Sequence, residues 1–571
     1  MGRFNLLDEE WIEVMIDKSG EKSLVSLRDI FENSQNYLDI AGDMHIQDFA
    51  IMRVILSIMH TVFSRYDAYG NPYDEVEVNE KMQQKEPVDE EDYEDYEDDL
   101  MSTWENLWKA GRFPKIVTDY LDKWHDRFYL YDEKYPFFQV TKDNMSIDKI
   151  KGKSIGQISG KTINRTITES NNKQALFSPK SEASKNILRD DEIARWLICF
   201  QGYTGLSDKT IYGNENYKTR NSKGWLYDLG SIYFKGANLF KTLMLNFIIF
   251  TNQSYSYNIQ KPAWEFTDSE LLHSYLNYLP VDNISELYTT YSRALYIDPT
   301  YKAGEDFNMN LIKLPEVDHL DNFLEPMTIY GTNKTGPNKG RFTPKKHPAN
   351  QSMWRSFGQI TLGKVSSYGS SSEYKVPKPG IISWLKVIEG KINDRNILVN
   401  TLSLEDDGNA TSWVPVNEIY DYMPMYIELL VGENKEDWTN HVYEMVEKTK
   451  NVISNIYGGF LRDIVKIRGL DKSGYVNNEI EKMYYLVDKP FRDIIESIGK
   501  DTDKKNILIE WDKTLKNLVY KEAYKKLETA TAIDYRLSDP SKGETNIITS
   551  FNKFTSILNK VIERKESEQG D

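Results

Sequence analysis

Seven histidines, one cysteine and a surplus of acids are the raw material for chemistry in this 571-residue chain. Their spacing supplies little of it. The histidines (His45, His60, His125, His273, His319, His347 and His441) lack the short-range pairing of a metal site. No HExxH, GxxxxGK[ST], GxSxG or GxGxxG stretch occurs, so metalloprotease, P-loop, serine-hydrolase and dinucleotide signatures are all missing. The adjacent pair His125-Asp126 could begin a metal-dependent hydrolase or nuclease site, but such a site needs further His and Asp ligands. Its neighbours are Trp124 and Arg127. Cys199 sits in the apolar pattern Trp196, Leu197, Cys199, Phe200, the setting of a buried inert thiol rather than a nucleophile. A lone cysteine also excludes an internal disulfide and a cysteine-cluster zinc site. No catalytic residue, metal or cofactor is expected.

What the chain does arrange is charge. The formal net charge is −17, an unpromising total for a nucleic-acid binder. Fourteen acids against two lysines fall between Asp74 and Asp99, however, and this segment reads as a solvated acidic loop or insertion. Elsewhere two stretches are basic. Residues 149–188, inside an aperiodic polar loop over 142–188, hold eight Lys or Arg against two acids, and residues 326–404 hold twelve against three. For phosphate binding the local field matters more than the sum; lysines also gather in surface loops for no such reason. A content of 40% hydrophobic, 28% charged and 13% aromatic residues is that of a soluble globular protein. Met1–Asp17 mixes charges with short apolar runs, unlike a signal peptide. The apolar run near Leu243–Phe250 is far shorter than the ~20 residues of a membrane span. A cytoplasmic protein with no membrane partner is the expectation.

The elements that must position these residues are legible in part. The fold class expected is α+β: a large mixed domain over 1–415, then a four-helix bundle over 416–571. Phe4–Val14 and Ser23–Ile30 read as short strands, with Ser26 as the N-cap of a helix. Ile46–Phe63 is apolar at helical spacing and reads as a buried helix. Leu100–Trp108, Ile116–Tyr129, Asp190–Phe200 and Ala237–Phe250 also read as helices, and Gln201–Gly224 as a polar loop. Beyond Pro415, four segments repeat apolar residues at i, i+3, i+4 and i+7. They are carried by Val442–Phe460, Ile480–Ile498, Ile507–Val519 and Ile548–Ile562.

Several segments, in order along nearly the whole chain, resemble the CasA family, the large subunits of type I-E CRISPR surveillance complexes (Cascade). Phe4-Asn-Leu-Leu-Asp-Glu-Glu-Trp-Ile-Glu-Val14 is similar to the family's opening, with Glu10 and Glu13 where proline is common. Trp124-His-Asp-Arg-Phe128 and Pro136-Phe-Phe-Gln139 follow, with Tyr135 replacing the usual histidine. Asn238-Leu-Phe-Lys-Thr-Leu-Met-Leu-Asn246, Glu325-Pro-Met-Thr328, and His347 with Met353-Trp-Arg355 complete the match.

The resemblance implies a non-catalytic subunit with four kinds of partner: guide CRISPR RNA, target double-stranded DNA, the backbone and small subunits, and a recruited helicase-nuclease. It would recognise a short protospacer-adjacent motif through the minor groove and begin R-loop formation; the alternative is a purely structural scaffold whose basic loops only grip RNA. The implied minor-groove loop holds Gly202, Tyr203, Thr204, Gly205, Ser207 and Lys209; the same glycines would also serve as a helix C-cap. The implied wedge is Gly408, Asn409 and Ala410, which also reads as a plain tight turn. Lys302 is the implied lysine contact. Lys334, Lys339, Arg341, Lys345, Lys346 and Arg355 would neutralise phosphates. Asn172, Lys173 and Phe177 would meet the guide RNA and neighbouring subunits, although Phe177 also suits a core anchor.

Overall fold

The computed structural model describes residues 2–163, 180–206, 209–213, 222–250, 257–366, 373–408, 415–470, 474–536 and 545–563. They form an α+β fold with two compact units. The larger is Met1–Asn350, Pro379–Asn393 and Leu398–Tyr422; the smaller is Gln351–Lys378, Asp394–Ile397 and Met423–Asp571.

The larger unit is built around the helix His45–Phe63. By length and composition this helix could cross a membrane, but it is 94% buried inside the protein. Helices apolar all round belong in a core. Its apolar span, rather than Leu243–Phe250, is the longest such signal, broken in the sequence by Arg53 and His60. Both are buried, and Arg53 forms a two-pronged ion pair with Glu325 (2.9 and 2.7 Å). The helices Ile116–Lys123, Asp190–Tyr203, Leu239–Asn246 and Ile284–Leu287 pack against it. Ahead of it stand the strands Arg3–Asn5, Ile12–Met15 and Lys22–Val25, then the helix Leu27–Asn33. Ser26 caps that helix, accepting from the Asp29 amide at 3.1 Å.

One five-stranded sheet matters for the site. Its order is Arg293–Tyr296, Asn308–Lys313, Ile211–Tyr212, Ile150–Lys151, with Gly156–Ser159 also pairing to Asn308–Lys313. Two expected loops are therefore partly strand. The stretch 142–188 contributes two strands and the helical turn Gly160–Ile163, and Gln201–Gly224 begins as helix and then contributes Ile211–Tyr212. Two-residue strands are too short to carry a readable period, and only their partners define them.

The acidic segment is not simply a solvated insertion. Val76 and Val88 are buried, and a helix, Tyr93–Ala110, starts within it. Tyr96, Leu100, Trp104 and Leu107 make its inner face, while Glu94 and Asp95 lie in its first turn, where the helix dipole favours them. Glu94, Asp95, Glu97, Asp98 and Asp99 thus belong to an amphipathic helix, while the other acids of the segment precede it.

The smaller unit is mainly helical. Trp438–Lys450 runs on through a π-helical stretch, Asn451–Tyr457, into Gly458–Arg468, and Gly469 ends the rod at φ 62°. Tyr475–Glu496, Lys504–Glu528 and Ile547–Glu563 follow. Gly458–Arg468 touches Tyr475–Glu496 and Ile547–Glu563, and Lys504–Glu528 touches the latter two. Phe460, Val487, Phe491, Trp511, Leu515 and Leu558 are all buried in this unit.

Candidate nucleic-acid interface

The chain from Gly202 to Lys209 divides sharply. Gly202 and Tyr203 end the helix Asp190–Tyr203, and Tyr203 and Thr204 are buried at 4% and 2% exposure. Gly202 is a glycine because a Cβ there would strike the Leu226 side chain, and one on Gly224 would strike the Gly202 carbonyl. Backbone closeness inside the protein, not approach to a groove, requires these glycines. Tyr203, Thr204 and the buried Gly205 are anchors, which corrects the expectation that they line a DNA groove. Ser207 lies outside the described residues. Lys209 is exposed.

Two buried cations hold this segment. Arg293, fully buried, donates to the carbonyls of Gly205 (2.6 Å) and Ser222 (3.2 Å) and so ties both ends of the intervening loop. Lys313, 5% exposed, donates to the Leu206 carbonyl at 3.2 Å. Replacing Arg293 with methionine strands two carbonyls, about 1–3 kcal/mol for each buried group left unsatisfied. The expected result is tryptic cleavage between residues 206 and 222 accelerated about tenfold for each 1.4 kcal/mol lost. A wild-type cleavage rate would remove the clamp.

Beyond the anchors, sheet pairing assembles a cationic rim. Lys151 pairs in register with Ile211, the Gly213 amide donates to the Lys149 carbonyl (2.8 Å), and Thr210 Oγ1 reaches the Ser154 carbonyl (3.5 Å). Lys209 therefore emerges beside Lys151 and Lys153. All three are exposed, and none joins an ion pair among the described residues. Lys149 shares its turn with Asp148 and contributes less. Uncompensated lysines gathered on one edge can neutralise phosphates.

A second cluster forms elsewhere in the larger unit. The strands Tyr330–Thr332 and Phe342–Pro344 make a hairpin whose loop, 334–341, is wholly exposed and carries Lys334, Lys339 and Arg341. Arg341 is bound to Asp321 (2.6 Å). Lys345 is exposed. Lys346 is not a free phosphate contact: it lies against Tyr227 and pairs with Asp406 (2.9 Å). That pair brings the hairpin base to Gly408, exposed at φ 67°, whose amide donates to Asp406 Oδ1 (3.0 Å). Asn409 and Ala410, with Asn172, Lys173 and Phe177, lie outside the described residues.

Three other expectations change. Arg355 belongs to the smaller unit, is 5% exposed, stacks on Tyr484 and pairs with Glu481 (2.9 Å), so it is a packing residue. Lys302 is exposed, but it lies in the link between Arg293–Tyr296 and Asn308–Lys313. That link thus enters the end of the latter strand opposite the one that meets Ile211, a strand roughly 17 Å long at ~3.3 Å per residue. His125 is occupied structurally, with Nε2 2.6 Å from Asp8 and Nδ1 3.4 Å from Asn5, while Asp126 points to solvent. Among the described residues no three His, Cys, Asp or Glu are placed to hold a metal. Burial pushes the Cys199 thiol well up, consistent with an inert core residue.

Residues 5–521 match the family model described as CRISPR-associated protein Cse1. The chain belongs to the Cse1 family. A curated relative, CRISPR-associated protein CasA/Cse1 of Thermus thermophilus, is 23% identical over 264 residues, 46% of this chain and 42% of the relative's length. The solved structure of Thermobifida fusca Cse1 is similar with a TM-score of 0.74, at 20% identity and 98% coverage of both chains. A chain of a CRISPR RNA-guided surveillance complex is similar with a TM-score of 0.66, at 14% identity, covering 98% of this chain and all of that one.

The segments that resemble the Cse1 family hold the fold. Trp11 Nε1 donates to the Leu6 carbonyl (2.8 Å), and Gln139 bridges the Leu130 carbonyl and the Ile297 amide (2.8 Å each). Asn238 caps its helix, and Asn246 bonds both backbone atoms of Phe234 (2.9 and 2.6 Å). Trp354 donates to Asp488 (2.8 Å) within the smaller unit. Arg293, Lys313, Lys151 and Lys153 escaped sequence reasoning as individuals. The basic count over 149–188 signalled the last two; nothing local marks Arg293.

Proposed function

We propose that this chain is the large, non-catalytic subunit of an RNA-guided antiviral DNA surveillance complex (Cascade). It recognises the protospacer-adjacent motif in duplex DNA through the minor groove, starts unwinding and R-loop formation, and recruits a helicase-nuclease. The observation that carries this reading is the Cse1-family match across residues 5–521; the likeness to a chain of a CRISPR RNA-guided surveillance complex supports it. In RNA-guided systems base pairing with the guide reads the target, and protein reads only the short motif.

In this reading Lys209, Lys151 and Lys153 grip phosphates beside the motif, with Ser207 next to Lys209. Lys334, Lys339 and Lys345 flank a wedge formed by Gly408, Asn409 and Ala410. Asn172, Lys173 and Phe177 meet the guide RNA and neighbouring subunits, Lys302 is the lysine that reaches towards the motif, and the C-terminal four-helix bundle meets the other subunits. Binding of duplex DNA with and without the motif by the reconstituted complex tests it. Equal affinity for both, or full binding by a complex lacking this chain, overturns it.

Unstacking a base step takes a few kcal/mol, so a wedge acts on opening rather than capture. Asn409→Ala is therefore expected to slow strand opening, read by permanganate reactivity of thymines beside the motif, while initial capture changes little. Unchanged reactivity removes the wedge.

A further inference from the structure

On the larger unit, a cleft of about 250 Å³ opens between the end of the helix Asp268–Leu276 and residues 315–322. Its lips are apolar. Tyr278 and Leu279 are 49% and 52% exposed, an unusual display for large side chains, and the half-buried Val317 and buried Pro315 also line the cleft. Tyr278 is held at φ 54°, and the Leu279 amide donates to the Ser274 carbonyl (2.9 Å), so the backbone of this lip is fixed.

The charged residues lining the cleft are all acids: Glu286, Glu316 and Asp318. Glu286 accepts a hydrogen bond from Asn283 Nδ2 (3.1 Å) and Glu316 one from the Lys223 amide (3.2 Å). Neither carboxylate has an ion pair among the described residues. The nearest cation to Glu316, Lys223, has its ammonium on Asp228 at 2.8 Å. Desolvation pushes both carboxyls up to about 7; Asp282 beside Glu286, and Asp228 and Asp318 beside Glu316, push the same way, while Lys261 and Lys223 pull against it.

We infer that this cleft receives a lysine or arginine side chain, with an adjoining aliphatic residue, from an extended segment of a protein partner. Charge complementarity selects the basic group, since carboxylates with room beside them bind ammonium or guanidinium by charge-assisted hydrogen bonds. A cation beside these carboxyls favours their ionised form, and the resulting charges disfavour phosphate and hence nucleic acid. A free polyamine would meet the acids but leave Tyr278 and Leu279 bare, whereas an aliphatic neighbour covers them. The inference does not rest on the nucleic-acid reading.

The test uses the full-length chain and two tripeptides, acetyl-Leu-Arg-Leu-amide and its citrulline analogue, with binding read by calorimetry. The arginine peptide is expected to bind at least about tenfold more tightly, since citrulline keeps the shape and loses the charge. The double variant Glu286→Gln, Glu316→Gln is expected to abolish that preference, and Leu279→Ser to weaken both peptides alike. Spermidine should displace the arginine peptide only at large excess. Thermal melts of each variant establish that it folds; if the double variant does not, the single Glu316→Gln at the cleft mouth carries the comparison. Equal binding of the two peptides, no binding of either at millimolar concentration, a preference that survives the glutamine substitutions, or displacement by equimolar spermidine overturns the inference.

Discussion

Replacing Lys151, Lys153 and Lys209 together with glutamine is expected to weaken duplex DNA binding on the order of 100-fold at ~0.15 M salt. Each phosphate contact releases counterions, so the slope of log K against log salt should become shallower by about 2.7 if all three reach the backbone. The effect should be nearly the same with and without the motif, because phosphate contacts position a protein without reading sequence. The three side chains lie on the surface, outside ion pairs with other described residues, so thermal stability should hardly move. An unchanged salt slope would show that the rim does not face DNA. Arg355→Gln is the internal contrast, for it should leave the slope alone and lower the stability of the smaller unit, where it meets Glu481 and Tyr484.

The second large effect is on stability. Arg53 and Glu325 are 1% and 0% exposed in their side chains, and Glu325 also accepts from Trp225 Nε1 (2.7 Å) and the Met327 amide (3.1 Å). Arg53→Met leaves a buried charge without its partner and is expected to destabilise the larger unit by about 3–5 kcal/mol. Adding Glu325→Gln should recover part of that loss, because the uncompensated charge is gone while an acceptor for Trp225 remains. Burial alone would raise the Glu325 carboxyl; Arg53 outweighs it and holds the group below its ordinary value of 4.5. The pair's contribution is therefore fully present above about pH 4.5 and is lost as pH falls through the depressed value. Urea unfolding of wild type and both variants across pH 3–7, followed by circular dichroism, checks magnitude and sign. A loss below about 1 kcal/mol for Arg53→Met would mean that water reaches the pair.

These two experiments touch residues of very different legibility. Glu325 stands in Glu325-Pro-Met-Thr328, one of the segments that resemble the family, and three donors hold its buried carboxylate. Lys151 and Lys209 stand in no recognisable segment. They were visible only as members of a basic count and of a loop expected to reach DNA, and neither signal placed them side by side.

The sequence by itself determined the family, the α+β class, the core helix His45–Phe63 and the four C-terminal helices. Each rests on many residues whose spacing repeats the geometry of one element, so errors average out. Tertiary structure alone decided which cations are free. A lysine in a basic stretch looks the same whether it ends in solvent, as Lys209 does, or against a carboxylate sixty residues away in the chain, as Lys346 does with Asp406. It also decided that the glycines at 202 and 224 serve close packing, and that Arg293 ties the loop ends at Gly205 and Ser222. Such contacts depend on distance in space between residues far apart in the chain. Composition and periodicity carry no record of that distance.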